Sequence, residues 1–168
     1  QRSGLGWIGK NTNLLRRDAG SYFVLGELLL DLPLAYDGPV ADYCGTCTKC
    51  IDACPTDALT PYQMDARKCI STWTIELKEA MTQAQAEASA GWAFGCDICQ
   101  EVCPWNRFAR PHQEPAFRPL EAVRHIRQGT LDEVGGNAWK RLVKSSPLSR
   151  VKRQQLKENL QRLQAARQ

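Results

Sequence analysis

The chain has 168 residues and a formal net charge of +4, with 43% hydrophobic and 24% charged residues. This length suits one compact domain, or a domain with a small appendage. No apolar run approaches the length of a membrane span, because the longest, near 23–34, is interrupted by glycine, acidic residues and proline. The first residue is Gln1 and a motif-like stretch follows at once, so we expect the natural N-terminus to lie upstream.

The charge is unevenly distributed along the sequence. Residues 1–117 carry 10 Lys and Arg against 14 Asp and Glu, whereas residues 118–168 carry 12 against 4. A basic C-terminal third is typical of a segment that binds nucleic acid, and equally of a solvated basic helix. Charge alone does not choose between these two interpretations.

The first two-thirds of the chain contain two segments with a structural signal. The apolar residues 22–25 and 28–30 are typical of a strand or a buried segment that ends at Pro33. Residues 74–90 favour a helix by propensity, and Gly91 can cap its C-terminus.

The C-terminal third is predicted to be helical after a linker punctuated by Pro111, Pro115 and Pro119. Ser146 is a good N-cap and Pro147 a good first residue for a final helix. Its apolar face recurs at roughly helical spacing, at Leu148, Val151, Leu156, Leu160 and Leu163.

The cysteines carry the strongest signal in the sequence. There are eight: Cys44, Cys47, Cys50, Cys54, Cys69, Cys96, Cys99 and Cys103. The first four follow the spacing C-x2-C-x2-C-x3-C-P of bacterial ferredoxins. Two-residue gaps let a tight loop, eased by Gly45, wrap three corners of a cubane, while the fourth cysteine points to a second cluster. The second group ends in C-x2-C-x3-C-P and has Ala93 where a full copy would have cysteine.

The spacing therefore predicts two 4Fe–4S clusters that exchange one ligand each. Cluster 1 takes Cys44, Cys47, Cys50 and Cys103. Cluster 2 takes Cys54, Cys69, Cys96 and Cys99. Two four-thiolate zinc sites, a set of disulfides and a set of free buried cysteines are the alternatives, and each fits the spacing less well.

Residues 4–9 spell G-x-G-x-x-G, a pattern with two interpretations. It can be a turn that lets the backbone approach a large ligand, or a structural turn that packs Trp7 into a core. No strand precedes it and no βαβ unit follows, so the residues alone favour the structural turn.

Several stretches together resemble the central and C-terminal part of the epoxyqueuosine reductase family. WIGKN near the N-terminus, CISTWTIE and GCDICQEVCPWN are more specific than the cysteine run itself. The matching stretches are 3–15, 20–34, 44–59, 65–76, 94–106 and 145–153.

The resemblance implies an α+β chain in three parts. Residues 1–43 would be the C-terminal part of a cobalamin-binding α/β domain, residues 44–110 a ferredoxin-like domain with both clusters, and residues 111–168 a basic, HEAT-like helical segment. The implied protein is a cytoplasmic monomer without a membrane partner.

The implied activity is the reduction of epoxyqueuosine to queuosine in tRNA. Cobalamin fed by the two clusters would be the reductant, the tRNA anticodon stem-loop the substrate, and a ferredoxin or flavodoxin the external one-electron donor. The family's catalytic Asp would lie upstream of residue 1, and none of Asp18, Asp31 and Asp37 matches its motif. We therefore expect the isolated chain to be inactive.

The resemblance also assigns roles to individual residues. One side of the corrinoid pocket would be shaped by Gly9, Lys10, Asn11, Gly20 and Ser21. The other side, or the substrate, would be contacted by Ser71, Trp73 and Thr74. Asp97 would hydrogen-bond the corrinoid or cap a loop N–H, and Trp105 would pack beside cluster 1. The tRNA would be contacted by Lys144, Arg150, Lys152 and Arg153.

Two other functions remain open at this point. One is a corrinoid iron–sulfur reductive dehalogenase, which shares the cofactors but not the WIGKN pattern or the basic tail. The other is a ferredoxin-type electron-transfer module without a substrate, which leaves the 43 residues before Cys44 without a function.

Overall fold

The computed structural model describes residues 1–167, and they form two compact units. Unit 1 comprises Gln1–Ala66 and Asp97–Pro111; unit 2 comprises Arg67–Cys96 and the residues from His112 onward. The chain thus enters unit 2, returns to unit 1 and enters unit 2 again.

Helices predominate in the part of the chain that the structure describes. The α-helices are α1 (Lys49–Asp52), α2 (Gln83–Ala88), α3 (Ile98–Glu101), α4 (Glu121–Gln128), α5 (Gly136–Val143) and α6 (Arg153–Ala165). The strands are β1 (Trp7–Ile8), β2 (Leu14–Leu15), β3 (Leu59–Thr60) and β4 (Gln63–Met64), paired as two antiparallel hairpins. Short 3-10 turns lie at Pro104–Phe108, Pro115–Phe117, Leu131–Glu133 and Pro147–Arg150, and a π-helical turn at Thr72–Glu76. Within residues 1–167, no helix combines the length and the apolar character that crossing a bilayer requires.

The glycine pattern at residues 4–9 is a structural turn in unit 1. Trp7 in β1 pairs with Leu15 in β2, and both side chains are buried. A Cβ on Gly6 would lie 2.1 Å from the Leu15 carbonyl oxygen, and a Cβ on Gly9 would lie 2.5 Å from the Leu15 Cδ1. The glycines are therefore needed by the hairpin itself, which confirms the interpretation that the residues alone favoured.

The prediction of a strand or buried segment at 22–25 and 28–30 is wrong. These residues form no strand, and Val24, Leu28 and Leu29 are 77%, 85% and 98% exposed. Apolar composition leads to burial only where a second surface packs against it. The described residues leave most of this run in contact with solvent.

The predicted helix over 74–90 is shorter than expected. The π-helical turn ends at Glu76, and α2 begins only at Gln83. Thr82 fixes that start, because its side chain accepts from the Gln85 N–H while the Gln85 side chain accepts from the Thr82 N–H. Ser89 and not Gly91 is the C-cap, and the first left-handed residue after the helix is Ala90 with φ of 52°, followed by Gly91 with φ of 86°.

Helices α4, α5 and α6 of unit 2 enclose a common core. Its buried members are Ala122, Leu131, Val134, Trp139, Val143, Leu148, Val151 and Leu156. The final helix begins at Arg153 rather than Pro147, and the Ser146 hydroxyl donates to the Val143 carbonyl instead of capping it. The intervening 3-10 turn and extended Val151 direct two of the predicted apolar residues into this core.

Polar side chains of α6 hold an irregular segment of unit 2 in place. The Gln155 amide donates to the carbonyls of Leu77 and Glu79, both at 2.9 Å. Asn159 is fully buried, accepts from the Met81 N–H at 2.8 Å and donates to the Ala93 carbonyl at 3.2 Å. These bonds satisfy backbone groups that no helix or strand pairs.

Candidate functional site

Four cysteine side chains line a single cavity of about 230 Å³ in unit 1: Cys44, Cys47, Cys50 and Cys103. The loop turns tightly, since the Cys47 N–H donates to the Cys44 carbonyl at 3.1 Å and Gly45 has φ of 52°. Cys50 lies in α1, whereas Cys103 follows α3. The structure thus brings together the four residues that the spacing assigned to cluster 1.

The geometry fits a polynuclear cluster better than the alternatives. None of the eight cysteines forms a disulfide. Within residues 1–167, no group of three or more His, Cys, Asp or Glu side chains is placed to hold a single metal ion. Tetrahedral zinc at 2.3 Å from each sulfur would draw four sulfurs to about 3.8 Å of one another. Four thiols that line one cavity of about 230 Å³ suit an iron–sulfur cubane.

Two of the four cavity thiols resist ionisation on their own. Burial raises the pKa of Cys50 and Cys103, and repulsion from other cysteines of the same cavity adds to the rise. Backbone N–H groups, such as those of Ile51 and Trp105, oppose it. A positively charged group bound in the cavity would offset the repulsion between ionised thiolates. The backbone N–H groups could then donate to the thiolate sulfurs.

Lys10 and Asn11 brace the cysteine loops from the β1–β2 hairpin. The Lys10 ammonium donates to the carbonyls of Gly45 at 2.7 Å and Cys47 at 3.0 Å. The Asn11 amide donates to the Cys99 carbonyl at 3.2 Å. These two residues of the WIGKN motif therefore position cysteine segments far away in sequence.

Gly20 and Ser21 are held by Asn106, which the sequence analysis did not single out. The Asn106 Oδ1 accepts from the Ser21 N–H at 2.6 Å, and its Nδ2 donates to the Gln100 carbonyl at 2.7 Å. A Cβ on Gly20 would lie 2.0 Å from the Asn106 Oδ1. The close approach and φ of 68° explain why glycine occupies position 20.

In unit 2, the residues after Cys69 form the π-helical turn and are engaged with their own unit. Thr74 is fully buried, donates to the Ile70 carbonyl at 2.8 Å and accepts from the Gly95 N–H at 3.0 Å. The Trp73 indole donates to the Arg67 carbonyl at 2.6 Å. Because π-helical turns recur at functional sites, this segment remains a candidate cofactor contact.

Ser71 provides a second link in the same unit, since its hydroxyl donates to the Cys96 carbonyl at 3.4 Å. Together with the Thr74 bond to Gly95, it ties the segment after Cys69 to the segment that ends in Cys96. Both cysteines of unit 2 are therefore held by one small hydrogen-bonded assembly.

Asp97 does not cap a loop N–H. Its carboxylate accepts from the Gln100 side-chain amide at 2.7 Å, and its side chain makes no capping hydrogen bond to α3. The capping alternative is wrong, because Gln100, one turn along the helix, supplies a side-chain donor instead.

Aromatic rings pack around the cluster 1 cavity. Trp105 and Tyr43 line it, and the Trp7 ring contacts both edge to face, with centroids 5.1 and 5.2 Å away. Trp105 thus lies beside the proposed cluster, as the sequence indicated. Among residues 1–167, the buried Trp7 indole N–H has no hydrogen-bond partner.

The four residues predicted to contact tRNA line one groove of about 470 Å³ in unit 2: Lys144, Arg150, Lys152 and Arg153. Lys140, which sequence reasoning missed, lines the same groove because it lies one helical turn before Lys144 in α5.

The basic residues of the groove differ in whether their side chains already have partners within the chain. The Arg150 guanidinium forms two 2.7 Å bonds with the Glu76 carboxylate, and Arg153 donates to the Leu131 carbonyl at 3.1 Å. Lys144 and Lys152 are exposed and form no salt bridge among residues 1–167. The lysines are thus free to meet a polyanion, while the arginines shape the groove.

Comparisons with known proteins agree with the cysteine site. Residues 43–106 match the family described as a 4Fe-4S double cluster binding domain. An epoxyqueuosine reductase of Leadbetterella byssophila is 52% identical over 95% of this chain and 52% of its own length. That of Synechocystis is 44% identical over 96% of this chain and 57% of its own length. The chain spans about half the length of the curated relatives it matches.

Solved structures give the same result. Epoxyqueuosine reductase from Bacillus subtilis aligns with a TM-score of 0.85 at 31% identity, over 98% of this chain and 44% of the other. A crystal structure of epoxyqueuosine reductase with an epoxyqueuosine-modified tRNA-Tyr stem loop aligns equally well, with the same coverage.

The fold and the cysteine cavity define a helix-rich iron–sulfur protein of the double-cluster class. The relatives share sequence on both sides of the cysteine motifs as well as within them. Over nearly its whole length, the chain is similar to proteins named epoxyqueuosine reductase.

Proposed function

We propose that the chain is the iron–sulfur part of an enzyme that reduces epoxyqueuosine to queuosine in tRNA. The reaction adds two electrons and two protons, removes the epoxide oxygen as water and leaves an alkene. The observation that carries the proposal is the unit 1 cavity, because it gathers the four thiols that a double-cluster protein requires for one cluster. The relatives' names supply the substrate.

Cluster 1 would be held by Cys44, Cys47, Cys50 and Cys103. Cluster 2, assigned from the spacing, would be held by Cys54, Cys69, Cys96 and Cys99. The bound clusters would supply electrons one at a time. What the chain's own residues contribute is position: Lys10 and Asn11 hold loop carbonyls of unit 1, and Thr74 holds the Cys69 segment of unit 2.

Cobalamin is the proposed two-electron reductant at the epoxide carbon. The polar groups of Lys10, Asn11 and Ser21 are engaged by unit 1 itself. These residues would therefore contact a corrinoid through packing and not through free hydrogen-bond donors. Gly9 and Gly20 are likewise fixed by packing within the unit. The remaining proposed contacts are Ser71, Trp73, Thr74 and Asp97.

The proton donor to the leaving oxygen is expected in a segment outside this sequence. Asp18 is a poor candidate within it, because the hydrogen bond from the Arg16 guanidinium holds the pKa of Asp18 below its usual value. A carboxyl group that stays ionised cannot act as a general acid near neutral pH. Isolated residues 1–168 are therefore expected to be inactive.

The tRNA anticodon stem-loop is the proposed partner of the unit 2 groove. Exposed Lys144 and Lys152 would contact phosphates, while Arg150 and Arg153 keep the groove in shape. A tRNA substrate also places the proposed enzyme in the cytoplasm, and we expect it to act as a monomer.

The cluster assignment is tested by anaerobic reconstitution. We expect about eight iron and eight sulfide per chain, because two cubanes need four of each. Cys47→Ser, which removes a ligand of cluster 1 only, is expected to halve both numbers. Tightly bound zinc without iron under the same conditions would contradict the proposal.

The RNA assignment is tested by reversing the free lysines. Lys144→Glu with Lys152→Glu is expected to weaken binding of a tRNA anticodon stem-loop. It should also lower the slope of log K against log salt by about 1.5, since each phosphate contact contributes about 0.7 to 0.9. Lys78→Glu with Arg118→Glu makes the same change of charge on exposed residues outside the groove. If both double variants weaken RNA binding equally, the effect comes from the overall charge of the chain and the groove is not the binding site.

A further inference from the structure

Two arginines flank the cavity that holds Cys44, Cys47, Cys50 and Cys103. Arg107 lines the cavity directly. The Arg17 guanidinium lies 4.9 Å from the ring centroid of Tyr43, which lines the same cavity. Both arginines are exposed, and among the described residues neither forms a salt bridge.

Aromatic rings hold these cations at the surface. Arg107 lies 4.5 Å from the Phe108 ring centroid, and the Phe108 and Trp105 centroids are 5.9 Å apart. Tyr43 and Phe108 are each 39% exposed. Guanidinium groups stacked on rings lose less freedom on binding than solvated ones. The surface beside the cavity therefore combines two aromatic rings with two guanidinium groups. We name these four residues, Arg17, Tyr43, Arg107 and Phe108, the arginine rim.

Asp18 and Asp42, which neighbour the rim residues in sequence, form no salt bridge with Arg17 or Arg107 among the described residues. Asp18 is paired with Arg16 at 2.7 Å. Asp42 accepts hydrogen bonds from the Tyr62 hydroxyl and the Cys44 N–H. Unit 1 as a whole has 7 Lys and Arg against 10 Asp and Glu. A positive rim on an acidic unit is therefore a local feature and not a consequence of overall charge.

We propose that the arginine rim docks an acidic one-electron carrier protein of the ferredoxin class. The inference rests on the proposed function, because it requires a cluster in the adjacent cavity. Protein pairs that exchange electrons use small interfaces, and opposite charge brings them together. In each encounter the carrier is oxidised by one electron and the chain's cluster is reduced by one, with no bond made and no proton moved.

The test uses the full chain, reconstituted anaerobically, and a plant-type [2Fe–2S] ferredoxin as the acidic probe. Arg17→Glu with Arg107→Glu reverses the rim. Arg118→Glu with Arg127→Glu makes the same change of charge on exposed residues of unit 2. The Kd for oxidised ferredoxin is measured by titration at low and high ionic strength. The rate of cluster reduction by reduced ferredoxin is measured by stopped flow.

We expect the rim variant to bind ferredoxin about tenfold more weakly at low salt, with the difference lost at high salt. Reduction by ferredoxin should slow in proportion. Photoreduced 5-deazariboflavin, an uncharged reductant, should reduce the single variant Arg17→Glu at the wild-type rate, because Arg17 does not line the cavity. Unchanged ferredoxin affinity in the rim variant, or an equal loss in the control, overturns the docking proposal. A chain that takes up no iron contradicts the proposed function instead, and the affinity comparison still tests the rim.

Discussion

Lys10→Met is the sharpest test of how the cysteine loop is held. The substitution keeps most of the aliphatic stem but removes the ammonium that donates to the carbonyls of Gly45 and Cys47 at 2.7 and 3.0 Å. A hydrogen bond from a charged group contributes about 1.5–3 kcal/mol when buried. Lys10 is only half-buried, so solvent screening reduces the pair to about 2 kcal/mol.

A loss of about 2 kcal/mol raises the population of an opened loop about 30-fold. Iron bound at the unit 1 cavity should then be lost to an anaerobic chelator at a rate that rises by a similar factor, while iron bound elsewhere is released at the wild-type rate. The expected chelation trace is therefore biphasic, with half of the iron in the fast phase.

The control is Lys49→Met, which removes the same charge from an exposed side chain of α1. Its trace should match that of the wild type. If Lys10→Met and Lys49→Met release iron at the same rate, the two carbonyl contacts do not hold the loop and the reasoning fails.

Three further substitutions test buried groups by chemical denaturation. Thr74→Val leaves the Gly95 N–H without its acceptor and should lower the free energy of unfolding by about 1–3 kcal/mol. Thr74→Ser keeps the hydroxyl and should lower it less. If Thr74→Ser is the more destabilising of the two, the hydrogen bond to Gly95 does not hold this segment. Asn159→Leu leaves the Met81 N–H without its acceptor and should lower the free energy of unfolding by about 2–4 kcal/mol. An unchanged free energy of unfolding would show that water replaces the amide. Trp7→Ala should lower the free energy of unfolding by about 3–5 kcal/mol. Trp7→Phe should lower it by much less, since the indole N–H has no hydrogen-bond partner among the described residues. Equal losses for the two variants would indicate that the indole N–H does have a partner.

The cysteine site was predictable because its signal is local. Three ligands of one cubane come from a single loop whose two-residue gaps set the geometry, and the structure places Cys44, Cys47 and Cys50 around one cavity. The predicted cap at Gly91 was wrong by two residues, because α2 ends at Ala88 with Ser89 as its C-cap.

The errors share one cause, which is competition from packing. Residues 22–25 and 28–30 have the composition of a buried strand, yet the described residues leave most of these side chains exposed. The helix expected from Pro147 begins instead at Arg153, because Leu148 and Val151 are drawn into the core around Trp139. Local propensity is worth a few tenths of a kcal/mol per residue, and tertiary burial outweighs it.

The sequence by itself determined which side chains can bind iron, since ligand type and short spacing are properties of one loop. Only the tertiary structure decided that Lys10 braces that loop, that Asn106 shapes the turn at Gly20, and that Lys140 joins the basic groove. Each of these contacts joins segments or faces whose proximity depends on the path of the folded chain. Hydrogen bonds and ring contacts act over a few ångströms, so no pattern in the sequence can reveal them before that path is known.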